Sequence, residues 1–498
     1  MELAGSVRNH TNEGMIRSRI TSGFGYGFAT FQNPAWDLSQ ILLATGGRVL
    51  SGSLKTVFRS ISTDSRKIEP GDLFLALTGD RFDGHVFVHE ALKRGAAGLI
   101  VSKMQEIPGS VPVVLVEDTL KALGDLAGYR RSQMHALKVL GVTGSSGKTT
   151  VKEMAAAILG RKNRVLKTMG NFNNLVGLPL SLLSVSYCHD FAVLEMGMNR
   201  PGEIARLTRI AEPDVSCIVN VQDAHLTGLG DIRGVAKAKG ELFQGSKSWG
   251  ILVVNIDDKR IRSLARSCGQ EKITFGRNRK ADVRATHLYS LGEKGMAFTL
   301  HIYGERTRVK TKGLGRHNVM NCLAAAAMAV GVGMNIHEIS EGLSLFKPFD
   351  KRQQVKDLPG GLKLLDDCYN ANPASMEAAI ETLKTLGHGQ KTAAILGDML
   401  ELGDQAESAH RLIGESVVGH KIDYLLTVGD FGQAVVQGAI DSGMDRKRAK
   451  NFASKGELSN HLHKLEDKRK LLPGDWILVK GSRGIRMETI ISELKNKA

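Results

Sequence analysis

Between Gly141 and Thr150 the sequence reads GVTGSSGKTT, a glycine-rich turn and a Lys-Thr-Thr set between a strand-like run and a helix-like one. Such a turn lets backbone N–H groups approach phosphate oxygens closely and aims a helix N-terminus at the anion. The apolar run Leu137 to Val142 predicts the strand, and the apolar spacing of Thr149 to Leu159 predicts the helix. Gly144, Ser145, Ser146, Gly147 and Thr150 are therefore candidate nucleotide-phosphate contacts, with Lys148 meeting the terminal phosphates and Thr149 a magnesium ion. Gly141 and Gly147 stand one residue too far apart for the GxxxxGK[ST] spacing, so the reading rests on the shorter GxxGKTT. The alternative is a Gly/Ser-rich turn carrying an exposed lysine.

Three downstream residues belong with this loop. Glu195 ends the strand-like FAVLEM, His225 follows SCIVNV, and Lys239 lies in the helical VAKAKGELF. An acid and an imidazole near a phosphate loop can hold magnesium or position a phosphate. Taken singly, a histidine after a strand is more often a structural hydrogen-bonder, and Glu195 has the type of an ordinary surface carboxylate.

The elements that must carry these residues alternate. KVLGV, FAVLEM, SCIVNV and GILVVN read as strands of a parallel sheet with helices between them, and ligands of such sheets bind at the strand ends. Upstream, from Trp36, LFLAL, a helix around Val88 to Arg94 and GLIVS give a small α/β unit. Downstream of KPFDKRQQ, the runs KLLDD, AAILGDM, YLLTVGD and DWILVKG repeat the βα alternation. The expected fold is α/β in three domains, with ranges 34–136, 137–347 and 348–498 after an extension at 1–33. These are a small α/β domain, a phosphate-loop domain with a parallel sheet, and a Rossmann-like domain.

At 498 residues the chain is too long for one core, and about 150 residues per domain also gives three. A net charge of +16, with Lys and Arg read as spread along the chain and few aromatics among them, points to anionic small substrates rather than nucleic acid. A solvated basic surface is the alternative. Five cysteines without a CxxC pair fit a reducing cytoplasm. The uncharged stretch from Asn171 to His189 is broken by Asn173, Asn174, Gly177 and Pro179, so no membrane insertion is expected. The first 33 residues lack the apolar core of a signal peptide and read as a flexible extension, with Met15 a candidate start.

In order, TDSR, GDRFDGH, GVTGSSGKTT, NFNNLVGLP, LEMGMNRPGEI, AHLTGLG, AKAKGELF, GRHNVMN, DDCYNANPASM, LGDMLELG and VKGSRG resemble the Mur ligases, ATP-dependent amide-forming enzymes of peptidoglycan synthesis. The resemblance runs from about Trp36 to Glu488. It implies a monomer that takes ATP, UDP-N-acetylmuramoyl-tripeptide and D-alanyl-D-alanine, the DNPR run of the ligase that adds the third peptide residue being absent.

Residue by residue, the resemblance implies UDP contacts at Asp64, Ser65, Arg66 and the loop Gly79 to His85 with Asp83, where a capped turn is the plainer reading of TDSR. It assigns Asn173 and Asn174 to the muramyl-peptide side, with a helix N-cap as the alternative. Magnesium falls to Thr149, Glu195 and His225, and to Lys239 as a lysine carbamylated by carbon dioxide, an anion able to ligate metal where an ammonium would repel it. An exposed helix lysine is the alternative. Base recognition falls to Asn318 and Asn321, with Asn255 a further candidate and a cap role open for Asn318. Arg352 would reach the terminal phosphate, although the family's usual Gly-Arg is Lys351-Arg352 here. Asp367, Tyr369 and Asn370 would contact ATP or the acyl phosphate, and Lys480, Ser482 and Arg483 the incoming dipeptide or the peptide carboxylate. A polar loop after a strand is the plainer reading of both groups. Two other classes remain open at this point: a folylpolyglutamate-type ligase, which would not need TDSR and GDRFDGH, and a basic nucleotide-regulated binding protein without ligase chemistry.

Overall fold

The computed structural model describes residues 35–79, 82–104, 111–223 and 226–495. The extension at 1–33, His225, and Asp80 and Arg81 of the GDRFDGH loop lie outside the described residues.

Three large sheets follow one another along the chain, and two two-stranded pairs, Trp36–Asp37 with Val57–Phe58 and Thr78–Gly79 with Phe82–Asp83, accompany the first. The first has five strands in the order Arg48–Ser51, Val113–Leu115, Gly98–Val101, Leu73–Leu75 and Ile61–Ser62, antiparallel only at the first pair. Alternation sorts its side chains: Leu73 and Leu75 pack with the helices Leu38–Thr45 and Thr119–Ser132, while Phe74 packs with Val88–Lys93. The helix Thr119–Ser132 also fastens this layer to the next. Asp125 takes a 2.7 Å hydrogen bond from Arg206, and Arg131 reaches Asp214 at 3.2 Å.

The second sheet has nine strands. Its order begins Val165–Lys167, Phe191–Glu195, Lys138–Thr143, Val215–Ile218, Ile251–Asn255 and Glu271–Gly276, all parallel. Strand order reverses at Lys138–Thr143, the strand that feeds the phosphate loop, which is where doubly wound sheets open a ligand crevice. Leu140, Val142, Val193 and Cys217 face the helices Lys148–Leu159, Gly315–Val330 and Ile336–Leu345. Val139, Leu194 and Ile218 face Gly177–Leu183, Glu203–Ala211 and Ile232–Gln244 on the other side.

The sheet then continues through Val283–Ser290, Met296–Ile302 and Glu305–Thr311, the last two antiparallel to their neighbours. The sequence reading did not anticipate this meander. VRATHLYS and ERTRVKT alternate apolar with basic and hydroxyl residues and contain no apolar run, as expected of strands with one face in solvent.

The third sheet runs Gln354–Asp357, Lys363–Asp367, Trp476–Lys480, Thr392–Gly397, Tyr424–Val428 and Ala449–Phe452, parallel except for the first strand. Its two faces are covered by Pro373–Leu386, Ala406–Gly419 and Gly432–Asp441, and by Lys455–Asp467 and Glu488–Lys495. The last strand along the chain, Trp476–Lys480, sits third in the sheet, directly after the edge pair, so Asp367 and Lys480 meet at neighbouring C-terminal ends. All five cysteines are unpaired, and among the described residues no helix is long and apolar enough to cross a membrane.

Candidate active site

A cleft opens between the phosphate-loop end of the second sheet and the strand ends of the third. Of the residues singled out in the sequence, Ser145, Ser146, Gly147, Lys148, Thr149, Thr150, Asn255, Asn318, Asn321, Arg352, Asp367, Tyr369, Asn370 and Lys480 line it. The loop is held open by its neighbours rather than by its own turn. Asn220 accepts from the Ser146 backbone N–H at 3.0 Å and donates to the Ser146 carbonyl at 3.1 Å, and the Ser145 hydroxyl donates to the Gln222 carbonyl at 2.9 Å. Gly147 is left-handed (φ 81°), and a Cβ there would lie 2.4 Å from Asn321 Oδ1, so only glycine fits. Asn321 in turn donates to Asn318 at 2.9 Å, and Asn318 donates back to the Leu314 carbonyl at 2.7 Å. Asn318 thus lies inside the helix Gly315–Val330 and is not its cap.

Charge is concentrated across the cleft. Lys148 Nζ bonds the Gly144 carbonyl at 2.7 Å, and burial draws its pKa below the ordinary lysine value, Glu195 opposing this and Arg352 adding to it. Arg352 lies over the Tyr369 ring, 4.3 Å from its centroid, with Nε buried and without a hydrogen-bond partner among the described residues. From the third sheet, Lys480 donates to Asp367 at 2.6 Å and to the Asn370 carbonyl at 3.0 Å. Burial raises the Asp367 carboxyl pKa, with Lys480 and Arg352 restraining the rise.

Behind the loop sits Glu195, 2% exposed. Its Oε1 accepts from Asn173 at 2.8 Å, whereas Oε2 is buried with no hydrogen-bond partner among the described residues. An orphaned carboxylate oxygen beside a phosphate cradle is the donor a divalent cation requires. Lys152, fully buried one helical turn after Lys148, stands 3.9 Å from Oε2 and is held by the Thr168 carbonyl at 2.7 Å and Glu153 at 3.1 Å. Lys239 is 1% exposed and is not the surface lysine of the alternative reading. Burial, and then repulsion by Lys148, hold its pKa well below the ordinary lysine value.

Three family models match the chain: "Mur ligase family, catalytic domain" over residues 57–131, "Mur ligase middle domain" over 142–329, and "Mur ligase, glutamate ligase domain" over 351–483. The UDP-N-acetylmuramoyl-tripeptide--D-alanyl-D-alanine ligase of Bacillus subtilis is 39% identical over 442 residues, which span 88% of this chain and 94% of that enzyme. The chain belongs to the Mur ligase family. Its fold superposes on MurF from Acinetobacter baumannii with a TM-score of 0.87 at 34% identity, covering 94% of this chain and all of that one. MurF ligase from Thermotoga maritima, solved in complex with ADP, gives 0.78 at 29% identity, covering 88% of this chain and 97% of that one.

The family's Gly-Arg has a physical counterpart here. Lys351 and Gln353, on either side of Arg352, are both left-handed, with φ of 58° and 50°. Glycine is the low-strain residue at such a position. In this Mur ligase Lys351 takes it, and its ammonium is anchored 3.0 Å from Glu488.

Other expected contacts fall outside the cleft. Ser482 is buried, receiving the Leu400 N–H at 2.9 Å, and Arg483 is half-exposed and paired with Glu488. Asn174 accepts from the Gly177 N–H at 2.8 Å, as a cap does. Asp64 accepts from the Arg66 backbone N–H and side chain, closing the short turn Ser65–Lys67, and Ser65 donates to Glu90 at 3.1 Å. Asp83 takes hydrogen bonds from Lys103 at 2.8 Å and from the His85 N–H at 3.0 Å, which hold its pKa well below the usual carboxylate range.

The sequence reading passed over four residues that shape the site: Lys152, Asn220, Gln222 and His317. Lys152 is readable in GKTTVKEM as the lysine four positions after Lys148, on the same helix face. His317 lines the cleft with Nδ1 buried and unpartnered. Burial first, then Lys480, push its pKa down to about 4, so the ring is neutral at physiological pH.

Proposed function

We propose that this Mur ligase joins D-alanyl-D-alanine to UDP-N-acetylmuramoyl-tripeptide with ATP, forming an amide through an acyl phosphate. The observation that carries the reading is the 39% identity to a relative of that name over nearly its full length. The ADP complex of the Thermotoga maritima relative supports ATP as the nucleotide of the cleft. The peptide carboxylate attacks the γ-phosphorus, an acyl phosphate forms and ADP leaves. The dipeptide amine then adds to the acyl carbon, and the tetrahedral adduct collapses with loss of phosphate and of the amine proton.

Little covalent work falls to the protein, so positioning and charge neutralisation dominate. Gly144 to Thr150 cradle the phosphates, and Lys148 and Arg352 take up charge on the transferred phosphoryl group. Asn318 and Asn321 read the base, with Asn255 beside them. Asp367, Tyr369, Asn370 and Lys480 hold the acyl end, and Ser482 and Arg483 shape the dipeptide side. Asp64, Ser65, Arg66 and Asp83 serve the UDP moiety, and Asn173 and Asn174 the muramyl peptide.

Thr149, Glu195, His225 and a carbamylated Lys239 would hold magnesium. Among the described residues, which exclude His225, no three His, Cys, Asp or Glu side chains cluster as a metal cage. When bound, magnesium screens the phosphate charge. A neutral buried Lys239 amine suits carbamate formation, in which nitrogen adds to carbon dioxide and one proton is released. The ranges 34–136, 137–347 and 348–498, each built on one large sheet, support three domains that close around Phe346 to Arg352, and the chain acts as a monomer. Unpaired cysteines and nucleotide substrates favour a cytoplasmic setting.

Phosphate release assayed with ATP, UDP-N-acetylmuramoyl-tripeptide and D-alanyl-D-alanine, each omitted in turn, tests the function. Release that persists unchanged without the dipeptide, or amide formation without ATP, would rule it out. Glu195→Gln is expected to raise the magnesium concentration needed for half-maximal rate, because the orphaned oxygen loses its charge. A magnesium titration matching the parent enzyme would remove Glu195 from the metal site.

A further inference from the structure

The positive charge of this chain is not spread evenly. Between residues 259 and 312 the sequence holds fourteen lysines and arginines against four aspartates and glutamates, a net +10 of the chain's +16. That segment builds the helix Lys259–Arg266 and the antiparallel edge of the nine-stranded sheet.

Strand register shows where the charges stand. Arg284 lies opposite His301, and His301 opposite Arg306. Thr286, Thr299 and Arg308 form the next row, and Tyr289, Ala297 and Lys310 the one after. Directly opposed residues share a face, so Arg284, Arg306, Arg308 and Lys310 project to one side. The intervening residues, among them Ala285, Leu300 and Val309, are in the core against Gly315–Val330. The same parity puts the helix Lys259–Arg266 on the basic side, since Ile261 and Ala265 pack with Leu252 and Val254 whereas Val253, Phe275 and Val283 face the opposite way. Arg306, Arg308 and Lys310 are exposed, and none of the four basic side chains is in an ion pair among the described residues. Arg308 instead reaches Tyr289.

The charge of the edge strand does not serve the cleft. Six strand spacings separate Glu305–Thr311 from Lys138–Thr143 in the sheet order, about 29 Å at the usual spacing. Screening at physiological salt acts over about 8 Å. Like charges facing each other across a sheet are destabilising in the free protein, and burial, Arg284, Arg306 and His287 together keep His301 below its ordinary pKa. An anionic counter-surface removes that repulsion.

Single-stranded nucleic acid is held on stacking aromatics, and on this face Tyr289 is already covered by Arg308. A phospholipid surface demands only an array of unpaired cations on an open face, each worth about 1 kcal/mol near anionic headgroups. We propose that the face formed by Arg284, Arg306, Arg308 and Lys310, together with the helix Lys259–Arg266, docks this enzyme on anionic phospholipid bilayers.

Vesicle flotation of the full chain tests it. The protein should float with phosphatidylglycerol-containing vesicles, remain behind with pure phosphatidylcholine, and be released as salt is raised. A variant with Arg284, Arg306, Arg308 and Lys310 all changed to Gln should bind the anionic vesicles several hundredfold more weakly, at about fivefold per charge. Its ATP-dependent phosphate release should be unchanged, which also shows that it folds. A second variant with exposed Arg446, Lys447, Lys468 and Arg469 changed to Gln carries the same loss of net charge and should still float. The proposal is overturned if the parent protein does not float, if both variants lose binding equally, or if an oligonucleotide strips the parent from vesicles and binds it but not the first variant.

Discussion

Lys148→Ala is expected to lower kcat/KM for phosphate release by at least a hundredfold to a thousandfold, the loss typical when one preorganised charge-stabilising donor is removed. The fold should survive. Among the described residues the ammonium bonds only the Gly144 carbonyl of its own loop, and burial already disfavours its charge. Taking it away leaves the helix Lys148–Leu159 packed through Val151, Met154, Ala155 and Ile158. Steady-state kinetics beside a thermal melt separate the two effects. Near-normal turnover would dismiss the phosphate-cradle reading, and a collapsed melting temperature would make the lysine structural.

Lys239→Ala should be almost inactive, and the cause can be isolated. A neutral amine is the form that reacts with carbon dioxide, and burial together with Lys148 supplies it well below the usual lysine pKa of about 10.4. The resulting carbamate would be an anion facing Lys148. Short carboxylic acids should recover part of the rate in the alanine variant, where space is left, and none in Lys239→Met, where the side chain fills it. Depleting bicarbonate should lower the parent's activity reversibly, and labelled bicarbonate should give a carbamate carbon resonance that the variants lack. An alanine variant with most of its activity, or a bare ammonium in a complex with ATP and magnesium, would end the idea.

Legibility followed locality. The strand, turn and helix around GVTGSSGKTT were readable because apolar period and glycine position are short-range signals, and the ends of FAVLEM and KLLDD were readable for the same reason. The meander over 283–311 was not, since Arg284, Thr286, Arg306 and Arg308 stand where an apolar run was sought. Charge likewise misled: read as evenly spread, it is concentrated in one segment. Lys152 escaped notice because its burial depends on Thr168 and Glu195, residues that only the tertiary fold brings near. TDSR behaves locally as the capped turn its residue types prefer, with Asp64 and Arg66 satisfying each other. Recognition of a ligand by such a turn is invisible to propensity.

The contact between Lys351 and Glu488 joins the two ends of the region built on the third sheet. Burial alone would raise the Glu488 carboxyl, yet the hydrogen bond from Lys351, its own backbone N–H and Arg483 bring it down to about 2. The turn that presents Arg352 is therefore moored to the first residue of the last helix, 137 positions further along the chain. Glycine at that turn would leave a free joint there; Lys351 makes a tether. Sequence changes near the C-terminus thereby acquire a grip on the turn that carries Arg352.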